Sequence, residues 1–220
     1  MVWRQFGNLG RLWFGNGWKA GGLSRFDPAT GVESVFTRKD GLPADDVWSL
    51  ERRPEGGVWI GTGSGLARAE GETIVNEGAR LGLPAAAVFH LRHDASDKLW
   101  ISTARGLHYW NGTNTVSITA TTGLPDEHVW CSARTPDGVI WMGTGSNGLI
   151  GYDGKAMTVL DKRDGIEGNR VFTLATEGDR SLWAGFLDGG LTRYRRSKSR
   201  PSIQLVEVSL GDRTTAAASR

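Results

Sequence analysis

Residues 41–68 decide the fold, and they read GLPADDVWSLERRPEGGVWIGTGSGLAR. Two short runs in this stretch, at 47–50 and 58–62, are rich in β-branched and aromatic residues, which favour strands. The Pro and Gly residues at 54–57 between them are typical of a tight turn. Residues 63–64 turn the chain again, into a third run at 65–68. The stretch therefore predicts consecutive short strands joined by turns.

The same pattern recurs along the chain with a period of 41 or 42 residues. The triplet Gly-Leu-Pro stands at 41–43, 82–84 and 123–125, and a degenerate copy, Gly-Ile-Glu, stands at 165–167. A tryptophan that follows an aliphatic residue keeps the same phase, at Trp59, Trp100, Trp141 and Trp183, and Trp13 is an earlier copy. The pair Gly-Leu also recurs in step, at 22–23, 65–66, 106–107, 148–149 and 190–191. Markers that agree in phase predict five repeat units.

Each unit is predicted to hold four short strands, because residues 70–71 supply one more turn before a further run at 73–75. Helical repeats of similar length are excluded, since a Gly or a turn cluster interrupts the chain about every eight residues. Four-stranded units of this length, arranged radially, form a β-propeller. The sequence thus predicts an all-β fold, a β-propeller of about five four-stranded blades that is part of a larger propeller. The units are predicted at about 1–43, 44–84, 85–125, 126–167 and 168–196.

The first strand of each unit carries an aromatic residue at one equivalent position. The pair Val-aromatic appears as Val2-Trp3 in a slightly shortened first copy and then at Trp48, Phe89, Trp130 and Phe172. These bulky rings are predicted to fill the gaps between neighbouring blades, as part of the core.

Composition excludes several classes of protein. With 220 residues, 39% hydrophobic and 23% charged, the chain is expected to be globular, and no apolar run approaches the roughly 18 residues of a membrane helix. The single cysteine, Cys131, excludes a disulfide framework, and the N-terminus shows no export signal. The net positive charge lies in residues 193–220, which contain seven basic and two acidic residues. Because Tyr194 is the single aromatic residue in this basic run, the segment predicts a solvated linker and no nucleic-acid partner.

The repeat resembles the two-component regulator propeller repeat. The resemblance rests on the order of motifs in a unit: Gly-Leu-Pro, Val-aromatic-x-Leu, a Gly/Asp turn, Trp-Ile-Gly-Thr and Gly-Leu-x-Arg. The clearest copies lie at 41–68 and 123–144, and the resemblance covers residues 1–196. It implies the sensory propeller of a hybrid histidine kinase, a diguanylate cyclase or a related regulator, in the periplasmic part of an inner-membrane protein. Residues 201–208 resemble the opening strand of the triple-tyrosine β-sandwich that follows such propellers, so 197–220 are assigned to a linker and a truncated first strand.

Three departures from the family pattern lead us to expect a piece of a longer protein: no export signal, five units, and no transmitter domain. The resemblance implies that the parent receptor is a homodimer. Contact with the membrane is expected only through parts of that protein outside this chain.

The candidate ligand site lies in two sets of loops. In a propeller, the loops that enter the first strands share one face with the loops between second and third strands, and loops on a rigid scaffold carry function. The charged, amide and aromatic residues expected there suit a small polar molecule or a glycan, and they are Trp18, Lys19, Asp45, Asp46, Arg105, Glu127, His128, Asn147, Asn169, Arg170 and Asp188.

Other interpretations of the same residues stay open. Surface loops are polar in any protein, so the face could have no ligand. A propeller enzyme, a lyase or a glycosidase, would use acids such as Asp45, Asp46 or Glu127, and a third alternative is a scaffold that binds only protein.

No cofactor or metal is expected, because the histidines and the cysteine lack ligand spacing. His90 and Cys131 occupy equivalent positions of neighbouring units, but no third group is placed to orient them, so a catalytic pair is disfavoured. Residues 143–148 match G-x-G-x-x-G, yet a strand follows them where a dinucleotide site needs a helix.

Overall fold

The structure is a computed structural model, and it describes residues 7–8, 11–16, 21–178, 181–196 and 201–203. The described residues form five four-stranded antiparallel sheets, each built from strands that follow one another in the chain. This confirms the all-β propeller fold. The predicted first-strand marker Val2-Trp3 lies outside the described residues.

Sheet one contains β1 (Gly7–Asn8), β2 (Arg11–Gly15), β3 (Leu23–Asp27) and β4 (Val32–Phe36). Sheet two contains β5 (Val47–Arg52), β6 (Val58–Thr62), β7 (Gly65–Glu70) and β8 (Thr73–Asn76). Sheet three contains β9 (Val88–His93), β10 (Leu99–Thr103), β11 (Gly106–Trp110) and β12 (Thr115–Ile118). Sheet four contains β13 (Val129–Arg134), β14 (Ile140–Thr144), β15 (Leu149–Tyr152) and β16 (Met157–Leu160). Sheet five contains β17 (Val171–Glu177), β18 (Ser181–Phe186), β19 (Leu191–Arg196) and β20 (Pro201–Ile203).

The fourth strand of sheet five differs from the expectation for the C-terminal segment. The backbone of Pro201–Ile203 pairs antiparallel with β19, with Tyr194 opposite Ile203 and Arg196 opposite Pro201. A three-stranded blade would leave the outer edge of β19 unpaired, and these residues supply the missing partner. The sheet thus extends past residue 196 into the segment that resembles the start of a sandwich. The remainder of that segment, 204–208, lies outside the described residues.

The core lies between the sheets, and the described residues form four apolar clusters in it, one for each pair of consecutive sheets. Because side chains alternate along a strand, the tryptophan of the second strand points toward the following sheet and its aliphatic neighbours point toward the preceding one. Trp59 therefore packs with Leu91 and Leu99 of sheet three, and Trp141 packs with Leu182 of sheet five. The tryptophans Trp13, Trp59, Trp100 and Trp141 are 2–6% exposed.

The glycine of the Trp-x-Gly-Thr motif permits this packing. A Cβ added at Gly61 would lie 2.8 Å from Cγ1 of Val88, and one added at Gly143 would lie 2.7 Å from Cγ1 of Val171. Both valines open the innermost strand of the following sheet. Glycine is favoured at these two positions because the next sheet approaches the backbone closely there.

The Gly-Leu-Pro motif closes the connection between two sheets. Three connections contain a short 3-10 turn, at Arg38–Asp40, Ala120–Thr122 and Lys162–Asp164, and each ends at a glycine in the left-handed region, with φ of 108°, 89° and 94°. That glycine is Gly41, Gly123 or Gly165. The apolar residue after it is 3–4% exposed and belongs to the inter-sheet core, as Leu42, Leu124 and Ile166.

The prediction that the first-strand aromatic residues belong to the core is wrong. Trp48, Phe89 and Trp130 are half-buried, and Phe172 is 42% exposed. In each of the four sheets the strand register shifts at this residue, so it occupies a β-bulge between two residues that pair with the adjacent strand. A bulge redirects a side chain out of the regular alternation, and none of these rings belongs to the four apolar clusters of the described residues.

Candidate functional site

The loops that precede the innermost strands and the loops between second and third strands lie together. Ser146 of the second set donates hydrogen bonds from its backbone nitrogen and from its hydroxyl to Oδ2 of Asp126, at 2.9 and 2.8 Å. In sheet two, the backbone nitrogen of Gly63 donates to the carbonyl oxygen of Asp46 at 3.1 Å. Both sets of loops therefore form one surface, which we call the loop face.

The bulged aromatic residues are at the loop face and form two edge-to-face pairs. Trp48 and Phe89 have ring centroids 6.4 Å apart at 76°, and Trp130 and Phe172 have centroids 5.8 Å apart at 80°. The indole nitrogen of Trp48 donates to Oδ2 of Asp46 at 3.2 Å, which connects a ring to a carboxylate of the entering loop. Sequence reasoning missed these rings as site residues, because a β-bulge leaves no mark in the amino-acid pattern.

Asp45, Glu127 and Asn169 occupy one equivalent position and make the same two contacts. Each side chain accepts a hydrogen bond from the first backbone nitrogen of the preceding 3-10 turn, namely that of Arg38 at 2.6 Å, Ala120 at 3.0 Å and Lys162 at 3.1 Å. Each backbone carbonyl accepts from the glycine that opens a third strand, at 2.7–2.8 Å. These three predicted ligand residues thus connect consecutive sheets. In each of them one side-chain oxygen already accepts a hydrogen bond from the backbone.

Asp126 is the most fully engaged acid of the loop face, with a side chain that is 8% exposed. Burial acts to raise the pKa of this carboxyl, but hydrogen bonds from the backbone nitrogen of His128 and from Ser146 outweigh it and lower the pKa below the usual value. Asp126 therefore stays ionised at neutral pH and fixes the loop between β14 and β15.

The remaining candidates differ in how free their side chains are. His128 is 64% exposed on its side chain, and Nδ1 lies 3.9 Å from Asp126. Arg105 is exposed at the tip of its hairpin. Arg170 and Asp188 form an ion pair with each other, and each is 47% exposed. The Oδ1 atom of Asn147 lies 3.2 Å from Oγ of Ser146. Trp18 and Lys19 lie outside the described residues.

Cys131 is built into the packing between sheets four and five. It is 3% exposed, and its thiol donates to the carbonyl of Val171 at 3.8 Å. Burial raises the pKa of this thiol to about 12, so it stays protonated at neutral pH and is not a nucleophile.

The described part of the chain contains no group of three His, Cys, Asp or Glu side chains arranged to hold a metal ion. Within the same residues, no helix has the length and apolar character that crossing a membrane requires.

Comparisons with known proteins agree with the repeat and the fold. The model of the two component regulator propeller family matches residues 41–64 and 123–146. No curated protein sequence gives a significant match. Among solved structures, the extracellular domain of BT4673 from B. thetaiotaomicron, described as a one component system, superposes with a TM-score of 0.71 at 21% identity, over 89% of this chain and 27% of that one.

Two further solved structures share the fold. The extracellular domain of BT3049 from B. thetaiotaomicron, described as a hybrid two component system, has a TM-score of 0.56 at 21% identity and is covered to 28%, against 93% of this chain. An inactive virginiamycin B lyase from Staphylococcus aureus, solved with quinupristin, has a TM-score of 0.67 at 14% identity, over 96% of this chain and 71% of that one. This chain thus spans just over a quarter of the two extracellular domains. The model of the two component regulator propeller family thus matches two of the repeats, and the sheets of this chain share the β-propeller fold of those domains.

Proposed function

We propose that the loop face binds a polar ligand, a small sugar or a glycan, as the sensory region of a signal-transduction receptor on the extracytoplasmic side of the membrane. The similarity to the extracellular domains of BT4673 and BT3049 supports the class of parent protein and its location. The loop face itself supports ligand binding. On this proposal the propeller has no catalytic role, and a transmitter domain elsewhere in the parent protein carries the output.

One observation carries the proposal: half-buried and exposed aromatic rings stand beside polar groups on a single face. Trp48 lies against Asp46, and Phe172 stands two residues after Arg170, whose guanidinium pairs with Asp188. A sugar offers C–H faces that pack on aromatic rings and hydroxyls that hydrogen-bond to carboxylates and guanidinium groups. Binding sites of small molecules combine apolar contact and a few placed polar groups in this way.

The rings are also positioned before any ligand arrives. Their bulged backbone is part of the sheet, and the two edge-to-face pairs hold each ring against a neighbour from the next sheet. Preorganisation of this kind reduces the conformational entropy lost on binding.

The test is titration of the purified protein with a panel of neutral and acidic oligosaccharides. Binding is measured by calorimetry and by the shift in melting temperature. Trp130→Ala should weaken binding of any sugar that binds by about tenfold or more, which corresponds to about 1.4 kcal/mol. The matched control is Tyr152→Ala, which removes a half-buried ring from a third strand away from the loop face and should leave affinity unchanged.

Two results would contradict the proposal. One is sugar binding that Trp130→Ala and Trp48→Ala leave intact. The other is conversion of the sugar by the purified protein, abolished by Asp46→Asn, which would make the chain a propeller enzyme. A protein-binding scaffold would show no change in melting temperature with any sugar of the panel.

A further inference from the structure

A cavity of about 450 Å³ opens between sheets three and four, at the strand ends that are opposite the loop face. Phe89 stands near the start of β9, at the loop face, whereas Arg92 and His93 end this strand and line the cavity. Arg134, at the end of β13, lines it from sheet four. We call this space the arginine cavity. Its volume is within the range of small-molecule binding sites.

Two arginines from neighbouring sheets converge on the arginine cavity. Arg92 is equivalent to Ala133, which packs toward sheet five, so Arg92 is directed in the same sense, toward sheet four. Arg134 follows Ala133 in its strand and is therefore directed the opposite way, toward sheet three, since side chains alternate. There its Nη1 lies 3.5 Å from Oδ2 of Asp94. Both arginines are exposed, so a ligand from solution can reach both guanidinium groups.

Asp94 is the acid among the described residues that line the cavity, and its oxygens are already engaged. Oδ1 accepts from the backbone nitrogens of Ser96 and Lys98 at 2.8 and 3.1 Å, and Oδ2 accepts from the indole nitrogen of Trp100 at 3.0 Å. Burial acts to raise the pKa of this carboxyl, but these hydrogen bonds and the charge of Arg134 outweigh it and lower the pKa. The lining thus carries two guanidinium charges against one carboxylate.

The neighbouring interface shows which group the arginine cavity lacks. Between sheets two and three, Oε1 of Glu51 accepts a hydrogen bond from the backbone nitrogen of His93 at 3.1 Å. One sheet further on, the residues at these two positions are Arg92 and Arg134. A guanidinium group has donors and no acceptor, so Arg92 cannot accept from the backbone nitrogen of Arg134. The carboxylate that joins sheets two and three therefore has no counterpart between sheets three and four.

We propose that the arginine cavity binds the carboxylate group of a small organic acid, held between the guanidinium groups of Arg92 and Arg134. Arginine is suited to this role because its planar fork of donors matches the two oxygens of a carboxylate. Trp100 and Ile140 supply an apolar wall for the body of the acid. The site is separate from the loop face and does not depend on the function proposed for that face.

The experiment is an NMR titration of the isotopically labelled full chain with phenylacetate and with glucuronate, because an aromatic acid and a sugar acid both carry this group. Phenylacetamide and glucose are their neutral counterparts, and inorganic sulfate is a further reference. The backbone amide signal of Arg134 should shift saturably with a carboxylate probe and not with its neutral counterpart. Arg92→Ala should weaken this binding by about tenfold or more, as expected when a charged hydrogen-bond partner is removed.

A second variant, Arg92→Glu, supplies the carboxylate that Glu51 supplies in the neighbouring interface. It should move the amide signal of Arg134 without any ligand and should bind neither carboxylate probe. Arg52→Ala is the matched control, because it removes an exposed arginine from the end of β5, outside the cavity. Trp48→Ala removes a ring of the loop face. Both controls should leave the affinity for the carboxylate probe unchanged.

The probes distinguish the source of the carboxylate: binding of phenylacetate alone indicates an acid with an apolar body, and binding of glucuronate alone indicates a sugar acid. Binding of both shows that the cavity selects the group and not the body. The proposal is overturned if neither probe shifts the signal of Arg134, if a neutral counterpart or sulfate binds as tightly, or if Arg92→Ala leaves the affinity unchanged. Melting curves of each variant show that folded chains are compared.

Discussion

The hydroxyl of Ser102 donates a hydrogen bond to Oγ of Ser132 at 3.1 Å, across the interface between sheets three and four. Ser102 stands where the other sheets have the motif glycine, and both serines are buried, at 0% and 3% exposure. A side chain at this position is therefore tolerated only with a partner for its polar atom in the next sheet. The packing between these two sheets therefore depends on the side chains of both.

Replacing the motif glycine should be more costly inside the stack of sheets than at its end. Gly143→Ala brings a Cβ against Sγ of Cys131 and against Cγ1 and the carbonyl oxygen of Val171, and backbone cannot move aside easily. We expect a loss of about 1 to 3 kcal/mol in the free energy of unfolding, typical of overpacking. Gly185→Ala, the matched control, meets only side-chain atoms of Thr173 and Leu191 and should cost less. Urea denaturation of both variants gives the comparison, and equal losses would contradict the assigned cause.

His108 should make stability depend on pH between the pKa values of its unfolded and folded states. It is 2% exposed, between Oγ1 of Thr103 and Oγ of Ser117, and burial lowers its pKa from 6.5 to about 4. Below pH 6.5 the unfolded chain takes up a proton that the folded chain refuses, so stability falls as pH falls and levels off near pH 4. The shift corresponds to about 3 kcal/mol.

His108→Gln is the variant that isolates this effect, because an amide keeps hydrogen-bonding capacity and does not titrate. The difference in unfolding free energy between wild type and variant should be constant above pH 6.5 and should change below it, to the disadvantage of wild type. The measurement is chemical denaturation at a series of pH values. A difference that stays flat from pH 8 to 4 would exclude His108 as the titrating group.

The contacts of Asp45, Glu127 and Asn169 predict a role in stability. Glu127→Ala removes the acceptor for the backbone nitrogen of Ala120, and we expect a loss of about 1 kcal/mol, as for a helix N-cap. Glu55→Ala, an exposed turn acid with 66% side-chain exposure, should change stability much less. Thermal unfolding of the two variants is the measurement. If Glu127→Ala melts like wild type, its hydrogen bond is not a structural one.

Asp126 should contribute to stability only while it is ionised. Asp126→Asn weakens the hydrogen bonds from Ser146 and His128, so the variant should be less stable at neutral pH by about 1 kcal/mol. The folded carboxyl has a lowered pKa, so its contribution is present above the ordinary value of 3.8 and is lost as pH falls through the folded value. The variant and wild type should therefore converge in strong acid, and unfolding curves at several pH values would show whether they do.

The repeat could be predicted from the sequence because its recurring motifs depend on the conformation of residues that are close in the chain. Glycines at left-handed positions such as Gly41 and Gly123, and alternating strands around each tryptophan, depend on residues close in the chain. The second connection shows the limit of such markers. Gly82 keeps the phase of the motif, yet the connection between sheets two and three contains no 3-10 turn among the described residues. There, buried Glu77 forms ion pairs with Arg68 and Arg80.

The amino-acid sequence by itself determined the number of units, their strands and the loops that share a face, since period and turn chemistry are properties of the chain. Only the tertiary structure decided which polar loop residues join one sheet to the next, as Glu127 does, and which rings leave the core, as Trp130 does. It also decided that Thr173 is exposed where Cys131 is buried. The reason is physical: burial and hydrogen-bond partners depend on the neighbouring sheet, so equivalent positions in a repeat differ when the residues packed against them differ.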